Sequence, residues 1–468
     1  MKSNKLLVIL FVFCYSLIVF GQEIRPEVQK IINNIEVENT LDYEAVGIAG
    51  EKTKQYENFE SLKKFATTEE LLLILKRKNN TSKGYASWAL VDTKYPYLKK
   101  ILSQFIVDKD SVENQNGCIS SIDDLATIFY FRVFNQKYYN ELSENDNIFF
   151  LSQLDELNEI VINKVQSGYL LEKALTCNHK NPKTYLKIKN LALKYKNRSA
   201  IEALGEYQKN EDIETIKNLK EDAFPAIAKF PDSSFWSFLT PYSGKISSED
   251  YMDAVVSFKN KEAEELLKNI VNTIPKDSIR NLSKAVIDNY DPLYENIVMS
   301  IWENHHIIDH NGTKILINSN PEKAAASFVK VLLNSDKIYL SEFNNDYGSS
   351  EKIFPLMLDV IKKHESDKML KICKHQIVVN DFTRLSFFLN IAKENQLTNT
   401  SEEIFSKLEK ANSAYDYFHL AETLFSFKNI DKTNKAVLVL KKNKEKWDWG
   451  NWSDAFRELF TQNNILWE

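Results

Sequence analysis

Glycine and proline supply only 11 and 10 of the 468 residues, where average usage would give roughly 56 between them. These two residues serve tight turns, positive φ and bends. Their scarcity excludes turn-dense β architectures and glycine-rich phosphate loops, and it favours helices joined by polar connectors. Cysteine is also scarce, with four in the chain, at spacings that form neither a disulfide framework nor a zinc ribbon. Buried free thiols are expected at Cys118, Cys177 and Cys373, with one bridge such as Cys118–Cys177 left open. Cationic excess is missing as well. The chain carries 60 Lys and Arg against 65 Asp and Glu, a balance unsuited to nucleic acid, which wants a domain-wide positive field. The sequence contains no nucleophile elbow, Walker loop, dinucleotide fingerprint, HExxH or CxxC, and no cofactor is expected.

The N-terminus departs from this pattern. Lys2 and Lys5 precede a largely apolar run over 6–20, and Val19 and Gly21 suit small-residue cleavage before Gln22. The run is shorter than the ~20 residues of a membrane helix, and a polar stretch follows at once. The expectation is export with cleavage of residues 1–21, with a retained anchor as the alternative. Cys14 lies inside the apolar run behind bulky Phe13, which argues against lipidation there. Loss of the leader's two lysines leaves 58 basic to 65 acidic residues, a net charge of −7. No later run approaches membrane length.

Apolar residues recur at helical spacing throughout the rest. Thr67-Thr68-Glu69-Glu70 reads as a capping box, with Leu71, Leu72 and Leu75 following on one face. After Lys78-Asn79-Asn80, a second helix carries Tyr85, Ala86, Trp88, Ala89 and Leu90. Pro96 suits the first turn of a third helix, which has Leu98, Ile101, Leu102 and Phe105 at i, i+3, i+4 and i+7. Ser120 with Asp123 is expected to open a fourth, bearing Leu125, Ile128, Phe129 and Val133. A recurrent closure appears downstream at Tyr195-Lys196-Asn197, Phe258-Lys259-Asn260 and Phe427-Lys428-Asn429. Tyr207-Gln208-Lys209-Asn210 is a variant of it. The expectation is that an aromatic residue seals the helix end and that asparagine, which tolerates the left-handed conformation, makes the turn.

Residues 69–91 resemble a HEAT repeat, with a leucine-rich helix, a polar turn, and a second helix bearing Ala86, Ala89 and Leu90. Residues 200–231 are similar. Asn79 or Asn80 stands where that family's turn aspartate falls, and Lys83 where its arginine falls. The resemblance spans about residues 65–240 and implies an all-α fold, a right-handed α-solenoid of HEAT-like hairpins in which each pair buries its face on the next. The expected organisation is a leader over 1–21 and a lead-in over 22–64, non-helical at 41–50. Helical repeats over 65–310 follow, then looser connectors over 311–350 and a C-terminal helical region with a tryptophan-rich cap over 351–468. Weaker helical lettering marks 240–248, 311–320 and 344–350.

Three local features bear on function. Glu303, His305, His306, Asp309 and His310 cluster, and on one helix Glu303, His306 and His310 would share a face fit for a metal. The competing reading is a helix end at Asn311-Gly312, with histidines complementing the dipole. Residues 173–201 contain eight basic and no acidic residues, and Lys183, Lys187 and Lys194 line one side. They form either a patch for an anionic partner or a solvated helix face. Trp447, Trp449, Trp452 and Trp467 offer either a ligand platform or a core stripe through Trp449, Trp452, Phe456 and Leu459. Asp108, Asp110, Asp123 and Asp124 show no acid/base division of labour and suit helix starts. The combined expectation is an exported, non-catalytic helical-repeat scaffold that binds another macromolecule, a protein. The alternatives are an exported helical enzyme acting on glycans and a metal-handling protein built on His305, His306 and His310.

Overall fold

The computed structural model describes residues 23–139, 141–178, 180–245, 248–275, 278–334, 339–340, 353–380 and 382–466. The expected leader, Cys14, Trp467 and the 344–350 connector lie outside them. Among the described residues the fold is all-α, 74% helical with 26 α-helices and little sheet. No helix among the described residues is long and apolar enough to cross a membrane. Two compact units divide between Phe230 and Pro231.

The first unit comprises α1 (Pro26–Glu38), β1 (Leu41–Val46), α2 (Lys54–Phe65), α3 (Thr68–Ile74), α4 (Asn80–Asp92), α5 (Leu98–Asp108), β2 (Ser111–Gly117), β3 (Ile119–Asp124), α6 (Leu125–Tyr139), α7 (Glu144–Lys164), α8 (Tyr169–Thr176), α9 (Tyr185–Tyr195), α10 (Arg198–Glu206), α11 (Ile213–Lys217) and α12 (Phe224–Lys229). The capping box forms as expected: Thr67 takes the Glu70 amide and Glu70 takes the Thr67 amide. Glu70 also accepts from the Arg25 amide, Nε and Nη2, so one carboxylate ties the start of α1 to the start of α3. Those guanidinium bonds hold its carboxyl down at about 2.

Helix α4 is buried without a break from Gly84 to Val91, because α1, α2, α3, α6 and the sheet all pack around it. Trp88 sits at its centre, edge-on to Tyr43, Phe59 and Tyr85. The sheet was not anticipated. β1 pairs parallel to β2, and β2 pairs antiparallel to β3. Ser120 and Asp123, expected to open a helix, belong to β3. The helix begins at Leu125, where Asp124 accepts from the Thr127 amide and hydroxyl.

The second unit comprises α13 (Trp236–Leu239), α14 (Glu249–Val256), α15 (Lys261–Thr273), α16 (Ile279–Asp288), α17 (Glu295–His305), β4 (Ile307–Ile308), α18 (His310–Ser319), α19 (Pro321–Asn334), β5 (Tyr339–Leu340), α20 (Ile353–His364), α21 (Met369–Val379), α22 (Phe382–Glu394), α23 (Ser401–Lys410), α24 (Ala414–Ser426), α25 (Ile430–Lys442) and α26 (Asn451–Gln462). β4 and β5 form a short parallel pair. From α14 to α26 the principal helix packing runs between helices one or two places apart in the chain. The 311–320 stretch, expected as a connector, is helical: Asn311 and Gly312 lie in the first turn of α18, capped by Asp309, and α19 follows.

The closure motif forms at its polar positions, which exchange roles; its aromatic is buried at Phe427 but 52% exposed at Tyr195, where it seals no helix end. Lys196, Lys259 and Lys428 hold the left-handed position at φ 50°, 48° and 54°. Asn197, Asn260 and Asn429 are extended N-caps whose side chains accept the amides of Ala200, Ala263 and Lys432. Asparagine is worth more at an N-cap, ~1 kcal/mol, and lysine bears the left-handed strain. Seven of the thirteen non-glycine residues at positive φ among those described are lysines, against two asparagines.

Asp253 in α14 is half-buried beside Glu249 and Asp250. Burial first, and then those carboxylates, push its carboxyl up to about 6. Its folded pKa therefore exceeds the unfolded value near ~3.9, so the stability it contributes is full below pH ~4 and is lost as pH rises through about 6. Asp253→Asn should raise stability at pH 7 by on the order of 1 kcal/mol, allowing for screening. It should also flatten the profile between pH 4 and 6, read as urea midpoints across pH. An unchanged profile would rule this origin out.

Candidate binding surface

The three-stranded sheet has one closed edge and one open edge. On β1, the Asp42 amide donates to the Tyr85 hydroxyl at 2.7 Å, and that hydroxyl donates to the Asp42 carbonyl at 3.1 Å, so α4 seals that side. At the other side β3 is the outer strand. Ile119 and Ile122 are 70% and 73% exposed, and 111–124 contains no lysine or proline, the residues that commonly guard an edge. Gly117 at φ 54° turns the β2–β3 hairpin, and exposed Cys118 stands at its tip.

β3 runs into a 730 Å³ cleft whose walls include Phe105, Lys109, Asp123, Asp124, Lys164 and Tyr169. Each acid is fixed from behind. Asp123 accepts from Asn114 Nδ2 and Ser121 Oγ, and Asp124 is the α6 cap. Tyr169 stacks on Phe131 at 5.2 Å between ring centroids, and Gly168 at φ 100° shapes the loop before it. The cleft offers both charges, an aromatic wall and an adjoining backbone edge.

The residues singled out from sequence fall elsewhere. Helix α17 ends at His305, and His306 adopts φ 59°, so Glu303, His306 and His310 share no helical face. Glu303 instead accepts from Lys330, His305 Nε2 bonds the Val271 carbonyl at 2.9 Å, and His310 starts α18. Among the described residues no group of three His, Cys, Asp or Glu is arranged to hold a metal.

The basic stretch is stitched to acids from other parts of the first unit. Lys183 pairs with Glu159, Lys189 with fully buried Asp212, Lys196 with Asp222, and Arg198 with Glu202. Lys194 lies over the Tyr195 ring, and Lys187 is half-buried on α9. Trp447 cannot serve a surface patch, since it is 2% exposed and its indole N–H donates to the Leu440 carbonyl. The stripe holds for Phe456 and Leu459, which are buried, and Trp452 is half-buried. Trp449 departs from it: it precedes α26 and is 58% exposed. Cys118, Cys177 and Cys373 are all free, with Cys118 exposed rather than buried. Burial pushes the Cys373 thiol up to about 12.

No protein family, curated protein or solved structure matches the chain.

Proposed function

We propose that this chain is an exported, non-catalytic helical-repeat protein of the HEAT-like α-solenoid kind that binds another protein. The helix packing from α14 to α26, confined to neighbours one or two along, supports the repeat architecture, because arrays of that kind bury each hairpin only on the next. The N-terminal leader supports export. One observation carries the binding role: among the described residues no strand pairs with the outer edge of β3, which lies beside a cleft, while the opposite edge is sealed by Tyr85. A partner's extended segment adds a strand there through main-chain hydrogen bonds and places side chains in the cleft.

Cys118 supplies the test. It is the exposed thiol among the three described, so a benzophenone maleimide on it reports what docks at β3. Photolysis in the exported fraction of the source cells should give a discrete cross-linked partner, and Ile122→Pro should abolish it. Absence of a cross-link, or an identical one from Ile122→Pro, would overturn the reading. A cross-link only between two copies of this chain would replace the foreign partner with self-association.

A further inference from the structure

Buried polar atoms in folded proteins are nearly always hydrogen-bonded, so the exceptions mark places that need explaining. Among the described residues three buried carboxylate oxygens have no hydrogen-bond partner: Asp309 Oδ2, Glu403 Oε2 and Asp416 Oδ1. Two of those three belong to one cavity. It measures 310 Å³, and its walls include Glu403, Asp416, Lys410, Val378, Phe382 and Ala411, supplied by α21 to α24 of the second unit.

Each carboxylate is half-used. Glu403 Oε1 accepts from Lys374 Nζ at 3.0 Å, and Asp416 Oδ2 accepts from Ser413 Oγ at 2.8 Å. These bonds position the groups and leave the second oxygen of each without a donor. Asp416 is 6% exposed, so water does not solvate it freely. An unsatisfied buried acceptor is costly, and more so when charged. Lysines do not fill the role. Lys407 Nζ donates to the Val378 carbonyl, and Lys410 is exposed on the cavity wall. The remaining wall is mixed: Ser406 and Asn412 are polar, while Val378 and Phe382 are apolar and 53% and 58% exposed.

We propose that this cavity binds a primary ammonium carried on a small apolar body. The ammonium's donors complete Glu403 Oε2 and Asp416 Oδ1, which are buried, so binding requires each carboxylate to turn about its soft terminal torsion. The apolar body covers Val378 and Phe382. Exposed Lys410 gives the site a second handle: a carboxylate on the same ligand would meet it, which separates an amino acid or peptide terminus from a simple amine.

Isothermal titration of the purified chain with four phenyl probes tests this. Phenethylammonium should bind saturably, whereas uncharged phenylethanol and anionic phenylpropionate should not. Glu403→Gln and Asp416→Asn should each weaken phenethylammonium about tenfold, the loss of one charge-assisted bond. Asp416→Asn also disturbs the Ser413 contact that starts α24. If it fails to fold, Glu403→Gln decides alone. L-Phenylalanine binding tighter than phenethylammonium identifies an amino acid or peptide terminus as the natural chemistry, and weaker binding identifies an amine. No binding of phenethylammonium, equal binding of phenylethanol, or affinity unchanged by Glu403→Gln would overturn the proposal.

Discussion

Gly205→Ala should destabilise the first unit by about 2 kcal/mol, although it replaces a poor helix former with the best one. Helix propensity alone would favour alanine by ~1 kcal/mol. Opposing that, a Cβ at position 205 would lie 2.2 Å from the Ala226 carbonyl oxygen and 2.6 Å from its Cα. Both obstacles are backbone of α12, so no rotamer change relieves them, and α10 and α12 must move apart. Overpacking of that kind costs ~1–3 kcal/mol or more. Gly84→Ala makes the control. Its Cβ would meet Leu41 Cδ1 at 2.3 Å, the far end of a flexible side chain, so its net cost should be smaller. Urea melts of both variants check this, and a Gly205→Ala melt within 0.5 kcal/mol of the parent would show that this contact does not set the helix spacing.

Gly205 also shows how the scarcity of glycine is to be read. Helix-to-helix turns such as those at Lys196, Lys259 and Lys428 are made without it, so several of the few glycines stand where nothing larger fits or where φ must be positive. The helical character was legible because apolar spacing and capping chemistry are local: Thr67 with Glu70, and Leu98 through Phe105, need no knowledge of distant chain. The sheet was not legible. β2 reads Ser-Val-Glu-Asn-Gln-Asn-Gly and β3 Ile-Ser-Ser-Ile-Asp-Asp, strands with little β propensity that are held by pairing to each other and to β1, seventy residues away. The histidine cluster misled for a related reason. A single left-handed residue, His306, ended the helix on which its geometry depended. The cavity formed by α21 to α24 joins residues from 378 to 420 through packing alone, so no spacing announced it.

Asp92→Ala should cost about 2–4 kcal/mol, below the top of the range for breaking a buried ion pair from one side because this pair is part-buried. Asp92 accepts from Arg132 Nε at 2.9 Å and Nη2 at 2.6 Å, from Lys63 Nζ at 3.1 Å and from Gln136 Nε2 at 2.9 Å. The Arg132 guanidinium also lies over Trp88 at 4.9 Å. Removing the carboxylate leaves a buried guanidinium against the aromatic core with no counter-charge. Arg132→Met should cost less, since Asp92 keeps Lys63 and Gln136 and the methionine keeps contact with Trp88. The pair Asp92→Leu with Arg132→Met should then recover much of the loss, giving a coupling of 0.5–3 kcal/mol in a double-mutant cycle. Additive costs would show that the two residues act independently. The network matters beyond stability because Lys63, Asp92 and Arg132 belong to α2, α4 and α6. α6 follows β3 without an intervening residue, and α4 seals the opposite sheet edge through Tyr85. Loosening this lock should therefore blur the presentation of β3, so Asp92→Ala should lower the Cys118 cross-linking yield even where the chain remains folded, and the double variant should restore it.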